Sequence, residues 1–350
     1  MGTPVSIKGR GAADNPQGRF ETLARSRETE AEIRSRPETV VTLQRARSII
    51  ARNDSPDLPF TQSINPYQGC EHGCIYCYAR PSHAYLGLSP GLDFETRLFA
   101  KENAADLLRE ELSRPGYRCE LIALGANTDP YQPIEREHRI TRGVLEVLWE
   151  FRNPVGIVTK GSLIERDLDL LEAMAREDLV QVFISIGTLD GEIARTLEPR
   201  AAAPYRRVET IRRLSAQGVP CGTLVAPIIP FLNDKDMEAV LEAVSEAGAR
   251  MAGYTVVRLP WEVKDLFKDW LERNYPLKAA HIMARIRDMR GGRDNDPRFG
   301  SRMKGEGEYA DLLRKRFELA CKRLGLNAGT RTRLDTTKFR RPDPQQRTLF

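Results

Sequence analysis

The stretch INPYQGCEHGCIYCYAR, residues 64–80, holds three of the chain's six cysteines within eight positions. Cys70, Cys74 and Cys77 follow the spacing C-x3-C-x2-C, and tyrosines stand on both sides of the last cysteine. Three closely spaced thiolates can bind a metal centre, but they supply one ligand fewer than a closed tetrahedral site or an ordinary electron-transfer cluster requires. The stretch therefore predicts either a reactive centre with an open position or a structural site completed by another residue.

Alternating apolar strands and helical patterns follow this stretch along the chain. Continuous apolar strands that are each followed by a helix are typical of parallel strands buried on both faces. Six such units favour an α/β fold with a partial (β/α)6 barrel, and an open doubly wound sheet is the alternative because periodicity does not distinguish the two. The predicted strands are Ser63–Tyr67, Cys119–Leu124, Val155–Thr159, Val180–Ile186, Pro220–Ala226 and Tyr254–Leu259. The predicted helices are Asn103–Leu112, Arg139–Phe151, Ile164–Glu177, Tyr205–Gln217, Lys235–Ala247, Val263–Arg273, Leu277–Arg290 and Tyr309–Leu324.

These patterns divide the chain into four regions. Residues 1–60 mix Arg, Glu, Gly and Pro, so we expect a partly disordered N-terminal extension with a helical pattern at Glu38–Ile50. Residues 61–260 form the barrel, and residues 261–330 form a helical C-terminal region. Residues 331–350 are polar, basic and Pro-containing, which predicts a flexible tail.

The composition narrows the class of protein. Hydrophobic residues make up 41% and charged residues 29%, as in soluble globular proteins. No apolar run approaches the roughly 18 residues that cross a membrane. The N-terminus lacks the apolar segment of a secretion signal, and six cysteines are few, so we expect a cytoplasmic protein in which Cys119, Cys221 and Cys321 are buried free thiols. Residues 285–350 carry 18 Lys and Arg against 9 Asp and Glu, a surplus that fits a polyanionic partner such as nucleic acid.

The cysteine spacing, with Tyr76 just before the last cysteine, resembles that of the radical S-adenosylmethionine (radical SAM) superfamily. The resemblance implies that the thiolates hold three irons of a 4Fe–4S cluster and that the fourth iron binds S-adenosylmethionine. It also implies an electron donor such as a flavodoxin or ferredoxin, and cleavage of the cofactor to a 5′-deoxyadenosyl radical that abstracts hydrogen from a substrate. The alternative is a structural zinc site with His83 as the fourth ligand, although zinc ligands usually come as two close pairs.

Other segments narrow the resemblance to one branch. NPYQGCEHGCIYCYAR together with NTDPYQPIE and TKGSLIERDLDLL is similar to the spore photoproduct lyase-like branch, also labelled DNA repair photolyase, over about residues 60–260. The branch implies a lyase that acts on DNA, with Tyr78 taking part in radical transfer. Six residues are predicted to bind the cofactor, either because the resemblance implies it or because of their place near strand ends. They are Tyr76, Lys160, Ser185, Arg200, Ala226 and Pro227.

Two of these cofactor contacts also follow from position. Lys160 and Ser185 fall at the carboxyl ends of predicted strands, where a cation and a hydroxyl can meet a carboxylate. Arg200 lies in a loop beyond the fourth strand and is a second candidate for that carboxylate. Its alternative role is an ion pair with Glu198 or a contact with a helix end.

One position departs from the branch. Spore photoproduct lyase has a hydrogen-donating cysteine after the second strand, whereas this chain has Ala126 there. Cys119 and Cys221 begin their predicted strands and so fall on the opposite face, and we do not expect the same hydrogen relay. Substrate contacts are predicted instead on the rim of the second strand, with loop-capping hydrogen bonds as the alternative. The rim residues are Asn127, Asp129, Tyr131, Gln132 and Glu135.

The C-terminal region adds two candidate binding segments. The Gly- and Arg-rich segment 289–313 is predicted either to cover the barrel and present Arg293, Arg298 and Arg302 to phosphates or to be a solvated loop. The final QRTLF resembles the peptide by which bacterial polymerases and repair proteins dock on the sliding clamp. In that peptide, the residues that contact the clamp would be Gln346, Leu349 and Phe350.

Together the motifs favour a radical SAM enzyme that acts on nucleic acid. A second hypothesis keeps the chemistry but takes tRNA, a protein or a small molecule as the substrate. A third is a nucleic-acid binding protein with a zinc clip and no catalytic activity. Metal content separates the third hypothesis from the first two.

Overall fold

A seven-stranded sheet forms the centre of the computed structural model, which describes residues 7–21, 37–329 and 334–342. In chain order the strands of these residues are β1 (Val40–Gln44), β2 (Ile50–Arg52), β3 (Gln62–Ile64), β4 (Tyr67–Gln68), β5 (Arg97–Lys101), β6 (Ile122–Leu124), β7 (Val155–Thr159), β8 (Val180–Ser185), β9 (Cys221–Ile228) and β10 (Met251–Val256). The large sheet has the order β10-β9-β8-β7-β6-β3-β2, and a small sheet has the order β1-β5-β4.

Six neighbouring strands of the large sheet are parallel, from β3 through β6, β7, β8 and β9 to β10. Only β2 runs antiparallel, at the edge beside β3. Buried β-branched residues such as Val155 and Val182 line these strands, because helices cover the sheet. No strand pair in the described residues joins β10 to β2, so the hydrogen-bonded ladder is an arc. The predicted α/β fold with six parallel strands is confirmed.

The helices lie close to their predicted positions. Gly218 and Gly248 follow two of them with φ of +73° and +100°, a left-handed conformation that favours glycine. Helix Gly191–Leu197 and the 3-10 helix Arg80–Leu86 were not predicted. The 3-10 helices Ser162–Asp167 and Asp234–Asp236 overlap the beginnings of two predicted helices. The longer α-helices are Ala104–Ser113, Ile140–Phe151, Leu168–Ala175, Pro204–Ala216, Met237–Glu246, Val263–Asn274, Pro276–Asp288 and Glu308–Leu324. Two short ones are Asp93–Thr96 and Glu135–His138.

The N-terminal region differs from its prediction. The helical pattern at Glu38–Ile50 was wrong, since β1 lies there and pairs in parallel with β5. Residues 7–21 are packed against the body of the protein instead of being loosely held: Arg10 is 7% exposed and donates a hydrogen bond to the Glu95 carbonyl (2.9 Å). The contacts that order this segment involve residues distant in sequence, so the local composition did not indicate them.

Part of the predicted flexible tail is also ordered. The Phe339 ring packs on Tyr117 and Phe151, with centroids 5.4 and 6.3 Å away. The Arg340 N–H donates to the Phe151 carbonyl (2.9 Å). These partners precede β6 and β7, so residues 334–342 cross the amino-terminal ends of the strands. The predicted clamp-binding residues Gln346, Leu349 and Phe350 lie outside the described residues.

Candidate functional site

The cysteine loop lies at the carboxyl ends of the parallel strands. Cys70 and Cys74 are 7% and 8% exposed, and Cys77 is half-buried. Burial raises the pKa of Cys74 to about 12, and burial and the neighbouring thiols raise the pKa of Cys70. The loop contacts the chain just beyond β8, since the Ile75 N–H donates to the Leu197 carbonyl (3.1 Å). The loop therefore places largely desolvated thiols at the face where a β/α barrel has its active site.

A buried ion pair holds the backbone of this loop. Arg80 and Glu95 are both fully buried, and the Arg80 guanidinium donates to the Glu95 carboxylate (2.5 Å). It also donates to the carbonyls of Gly73 (3.1 Å) and Cys74 (2.9 Å). Because an arginine fork has a fixed geometry, these contacts fix the backbone at the second cysteine and at the residue before it.

The N-terminal segment contacts the same loop. The Gly11 and Ala12 N–H groups donate to the two Glu95 carboxylate oxygens at 3.0 and 2.9 Å. A Cβ on Gly11 would lie 1.9 Å from the Gly73 carbonyl oxygen, so only glycine allows this approach. Residues 10–12 thus form part of the support of the cysteine loop, which sequence periodicity could not reveal.

A buried acid and two cations lie beside Cys74. The Tyr76 hydroxyl and the Arg207 guanidinium both hydrogen-bond to the Glu198 carboxylate. Arg207 also donates to the carbonyl of Ser185 (2.8 Å), at the end of β8. Although burial alone would raise the pKa of Glu198, Arg207 and Lys160 outweigh it and keep the carboxyl ionised. Glu198 and Arg207 were not predicted as site residues.

Lys160 follows β7 and points its ammonium toward this group. Its Nζ lies 5.8 Å from the centroid of the Tyr76 ring. Burial alone would lower the pKa of Lys160, but Cys74 and Glu198 outweigh it and the pKa is raised. Within the described residues the ammonium makes no hydrogen bond or ion pair, so it remains available to a carboxylate of a ligand.

The other predicted cofactor contacts lie near Lys160, with one exception. The Ser185 hydroxyl donates to the Ala226 carbonyl (3.1 Å), and the Asn233 amide donates to the carbonyl of Pro227 (2.9 Å). These groups line the ends of β8 and β9. Arg200 instead forms an ion pair with Glu71 (2.9 Å). It therefore does not pair with Glu198, and its guanidinium is not free for the cofactor.

Tyr78 is the exposed residue of the motif. Its side chain is 46% exposed, and its hydroxyl donates to the carbonyl of Ala126, just beyond β6. The Arg258 guanidinium lies 5.5 Å from the centroid of the Tyr78 ring. The phenol thus joins the cysteine loop to the position where the resemblance implies a hydrogen-donating cysteine.

With this geometry in place, comparison with known proteins identifies the family. The model of the family described as the Radical SAM superfamily matches residues 64–244. The chain belongs to the radical SAM superfamily. An uncharacterized protein of Mycobacterium tuberculosis is 38% identical over 236 residues, which cover 66% of this chain and 68% of that protein.

The fold of this radical SAM protein is similar to that of spore photoproduct lyase. The structure of that lyase complexed with dinucleoside spore photoproduct covers 85% of this chain and 84% of its own, with a TM-score of 0.61 and 17% identity. A variant with bound AdoMet and dinucleoside spore photoproduct covers 74% and 73%, with a TM-score of 0.50 and 17% identity. At this identity the likeness concerns the fold.

The donor set fits the cluster that the superfamily implies. Two of the three thiols are buried and the third is half-buried, and no group of three or more His, Cys, Asp or Glu side chains in the described ranges is arranged around a single metal ion. A 4Fe–4S cluster places each thiolate on a different iron, so its ligands do not converge on one point. His83, the fourth ligand of the zinc alternative, has its Nε2 2.9 Å from the Arg97 carbonyl and its ring against Phe94.

Most of the predicted rim residues face the interior of this radical SAM protein. Gln132 accepts from the Glu71 N–H (2.9 Å) and donates to the Gly69 carbonyl (3.1 Å), so it braces the cysteine loop. Tyr131 is 1% exposed and donates to Asp167 (3.0 Å). Glu135 is fully buried and accepts from Tyr67, Arg166 and Thr141.

Asp129 and Asn127 occupy the rim itself. Asp129 accepts from the Thr159 hydroxyl (2.6 Å) and the Lys160 N–H (2.7 Å), which joins the ends of β6 and β7. Burial alone would raise the pKa of Asp129, but His72 and these hydrogen bonds lower it to about 2. The Asn127 N–H donates to Asn65 (3.0 Å), and its half-buried side chain remains the candidate for substrate contact.

The Arg-rich loop lies against this face. The Val256 N–H, at the end of β10, donates to the Met303 carbonyl (2.9 Å). Arg302 binds Asp57 (2.6 Å), and Arg298 binds Asp296 (3.0 Å). Arg293 is exposed and makes no ion pair within the described residues, so it is the candidate cation of the three for a phosphate.

The remaining cysteines lie in other parts of the fold than Cys70, Cys74 and Cys77. Cys221 is the first residue of β9 and is buried, and Cys119 precedes β6 and is half-buried. Both positions are at the amino-terminal ends of the strands, as predicted. Cys321 is buried in helix Glu308–Leu324. The structure has no helix, among the residues it describes, that is long and apolar enough to span a bilayer.

Proposed function

We propose that this protein is a radical SAM enzyme that acts on nucleic acid. Cys70, Cys74 and Cys77 would hold a 4Fe–4S cluster through three of its irons. When bound, the cluster supplies the electron that cleaves S-adenosylmethionine to methionine and a 5′-deoxyadenosyl radical. The protein's own residues bind the cofactor, orient it and exclude water.

The observation that carries the proposal is the Lys160 ammonium, which lies beside the thiol of Cys74 in a desolvated pocket. Lys160 faces Cys74 and Glu198 and makes no ion pair within the described residues. An ammonium in a desolvated pocket is stabilised by a ligand carboxylate, and S-adenosylmethionine carries one on its methionine moiety. Ser185 and the backbone at Ala226 and Pro227 lie on the neighbouring strand ends, where they would contact the rest of the cofactor.

Glu198 and Arg207 would position this pocket. Arg207 holds the end of β8 through the Ser185 carbonyl, and Glu198 orients the Tyr76 phenol. Neither residue needs to touch the cofactor for this role. The ion pair between them offsets one of the two positive charges of Arg207 and Lys160, so one positive charge remains for a ligand carboxylate in a site with little access to water.

Two observations support nucleic acid as the substrate. Residues 285–350 carry a surplus of nine basic charges, and Arg293, on the loop beside the active face, makes no ion pair with any residue that the structure describes. The protein with the similar fold was solved with a dinucleoside lesion, which we extend to this chain as a proposal. Tyr78 would transfer hydrogen to or from the substrate, because its phenol is exposed and adjacent to Cys77.

The test begins with anaerobic reconstitution of the full chain with iron and sulfide. We expect about four irons per chain, and 5′-deoxyadenosine after reduction and addition of S-adenosylmethionine. Cys77→Ala should abolish the product, whereas Cys321→Ala, which replaces a buried cysteine elsewhere, should not. A chain that holds zinc, binds no iron and forms no product would refute the proposal.

The substrate is tested separately by mass spectrometry of irradiated oligonucleotides after turnover. We expect lesion-dependent loss of substrate that Tyr78→Phe greatly slows, because the variant lacks the phenolic hydrogen. Cofactor cleavage without any change in DNA would redirect the search to tRNA, protein or small-molecule substrates.

Two partners belong to the same proposal. An electron donor such as a flavodoxin or ferredoxin would reduce the cluster. The terminal QRTLF would recruit the enzyme to the sliding clamp through Gln346, Leu349 and Phe350. Deletion of residues 346–350 should abolish binding to immobilised clamp, and unchanged binding would remove the recruitment proposal.

A further inference from the structure

Three exposed aromatic side chains surround Arg19 near the active face. Phe20, Tyr85 and Trp261 are 56%, 73% and 62% exposed, which is unusual for large apolar groups close together. The Arg19 guanidinium carbon lies 4.2 Å from the centroid of Trp261, 5.1 Å from that of Phe20 and 5.4 Å from that of Tyr85. We call Phe20, Tyr85 and Trp261 the aromatic platform.

The platform is assembled from three distant parts of the chain. Phe20 belongs to the N-terminal segment, and Tyr85 lies in the 3-10 helix Arg80–Leu86 that directly follows the cysteine loop. Trp261 follows β10, three residues after Arg258, whose guanidinium covers the Tyr78 ring. Tyr85 and Trp261 are thus close in sequence to Tyr78 and to the arginine that contacts its ring.

The arginine at its centre is held in place. The Arg19 guanidinium donates to the Pro81 carbonyl (3.1 Å), and the Arg19 backbone N–H donates to the Glu262 carboxylate (3.3 Å). The Nη1 atom of Arg19 is buried without a hydrogen-bond partner and lies 3.8 Å from Glu262. Pro81 and Glu262 thus hold the guanidinium where it contacts all three rings.

Trp261 is presented in a costly backbone conformation. Its φ is +48°, in the left-handed region that bulky residues rarely adopt. Arg19 covers the indole on one side, and 62% of the side chain is still exposed. The open side of the ring can accept another planar group. Backbone strain of this kind is common at ligand sites.

Unpaired cations lie close to the platform. Lys264 is exposed and lies three residues after Trp261. Arg293 is also exposed, on a loop whose Asn295 side chain accepts a hydrogen bond from the Leu259 N–H (3.1 Å). This hydrogen bond holds the loop beside Trp261. Neither makes an ion pair within the described residues. Aromatic faces combined with cations form the surface that binds unstacked bases and their phosphates.

We propose that the aromatic platform binds single-stranded nucleic acid, or a locally opened duplex, by stacking bases on Trp261 and Tyr85. This inference rests on nucleic acid being the substrate and adds how it is presented to the active face. The Phe20 and Tyr85 rings are inclined by 43°, so stacked bases of an intact duplex cannot cover both. A protein partner on the same surface is the competing outcome.

The test measures binding of a fluorescent 12-nucleotide single strand by anisotropy, using the reconstituted full chain at fixed salt. Trp261→Ala and Tyr85→Ala should each raise the Kd roughly 5-fold or more, as loss of a stacked base does. Tyr205→Ala is the matched control, since Tyr205 is a 77% exposed tyrosine on helix Pro204–Ala216. It should leave the Kd unchanged.

A spectroscopic signature separates stacking from a general loss of structure. Trp270 is buried, and the half-buried Trp149 ring is covered by Arg152 (3.4 Å from its centroid). Quenching of indole fluorescence by the single strand should therefore come mainly from Trp261 and should be largely lost in Trp261→Phe. A parent chain that binds no single strand, binds duplex as tightly, or binds equally after Trp261→Ala would overturn the proposal. Formation of 5′-deoxyadenosine without an oligonucleotide is measured in parallel, so failure of the platform is distinguished from failure of the radical chemistry.

Discussion

Replacement of Glu95 by glutamine tests how the cysteine loop is held. Glu95 and Arg80 are fully buried, and the carboxylate accepts hydrogen bonds from Arg80, Gly11 and Ala12. Glu95→Gln keeps the size of the side chain but removes its charge. It also turns one accepting oxygen into an NH2 group that faces donors.

The expected loss of stability follows from these contacts. The Arg80 guanidinium would remain buried without a counter-ion, and breaking a buried ion pair in this way costs about 3–5 kcal/mol. The neighbouring backbone N–H that loses its acceptor adds to this cost. Because Arg80 also binds the Gly73 and Cys74 carbonyls, we expect less iron per chain after reconstitution.

The assay is urea unfolding of the cluster-free chain followed by circular dichroism, with iron content measured separately. Glu242→Gln is the control: it removes an ion pair with Arg323 in which the side chains are 46% and 59% exposed, and it should cost below about 1 kcal/mol. Equal losses of unfolding free energy in the two variants, or full iron content in Glu95→Gln, would refute the reasoning.

Three further predictions follow from single residues. Gly11→Ala should lower the unfolding free energy by about 1–3 kcal/mol in urea, because its Cβ meets the Gly73 carbonyl, whereas Gly191→Ala, with open space around it, should not. Lys160→Ala should weaken S-adenosylmethionine binding in equilibrium dialysis roughly 10-fold or more through loss of a charge-assisted hydrogen bond. The pKa of Asp129 is about 2, below its usual 3.8. Its ionised form therefore adds about 2 kcal/mol to the free energy of unfolding above pH 4, and this stabilisation is lost as the pH falls toward 2. Asp129→Asn should therefore flatten the acid limb of a pH–stability curve.

Each of these three has a contradicting result. Equal stability of the two glycine variants would mean that the N-terminal segment does not press on the cysteine loop. Unchanged cofactor affinity in Lys160→Ala would assign the carboxylate to another cation. An acid limb that is equally steep in Asp129→Asn would place the titrating group elsewhere.

Local sequence was sufficient to predict an element where the signals for that element lie within it or directly beside it. Strand β7 was predicted with its observed bounds, and helix Ile140–Phe151 with its observed end, because apolar periodicity and nearby turn residues are local signals. The cysteine spacing predicted the family for the same reason: three ligands of one loop lie within eight residues.

Contacts between distant segments were not predictable in this way. β1 was mistaken for a helix because its strand character depends on pairing with β5, over 50 residues away. Rim positions such as Gln132 and Glu135 carry polar side chains that resemble ligands in sequence. Both are fully buried and hydrogen-bonded to protein groups, which only burial could reveal.

The sequence by itself therefore determined the class of chemistry and the order of the parallel α/β units. Both depend on spacing and periodicity, which a short stretch of chain contains. Only the tertiary structure decided which cations are available to a ligand, since Lys160 makes no ion pair in the described part of the chain while Arg200 binds Glu71. It alone brought Phe20, Tyr85 and Trp261 around Arg19, because a side chain's partners depend on chain segments that meet only on folding.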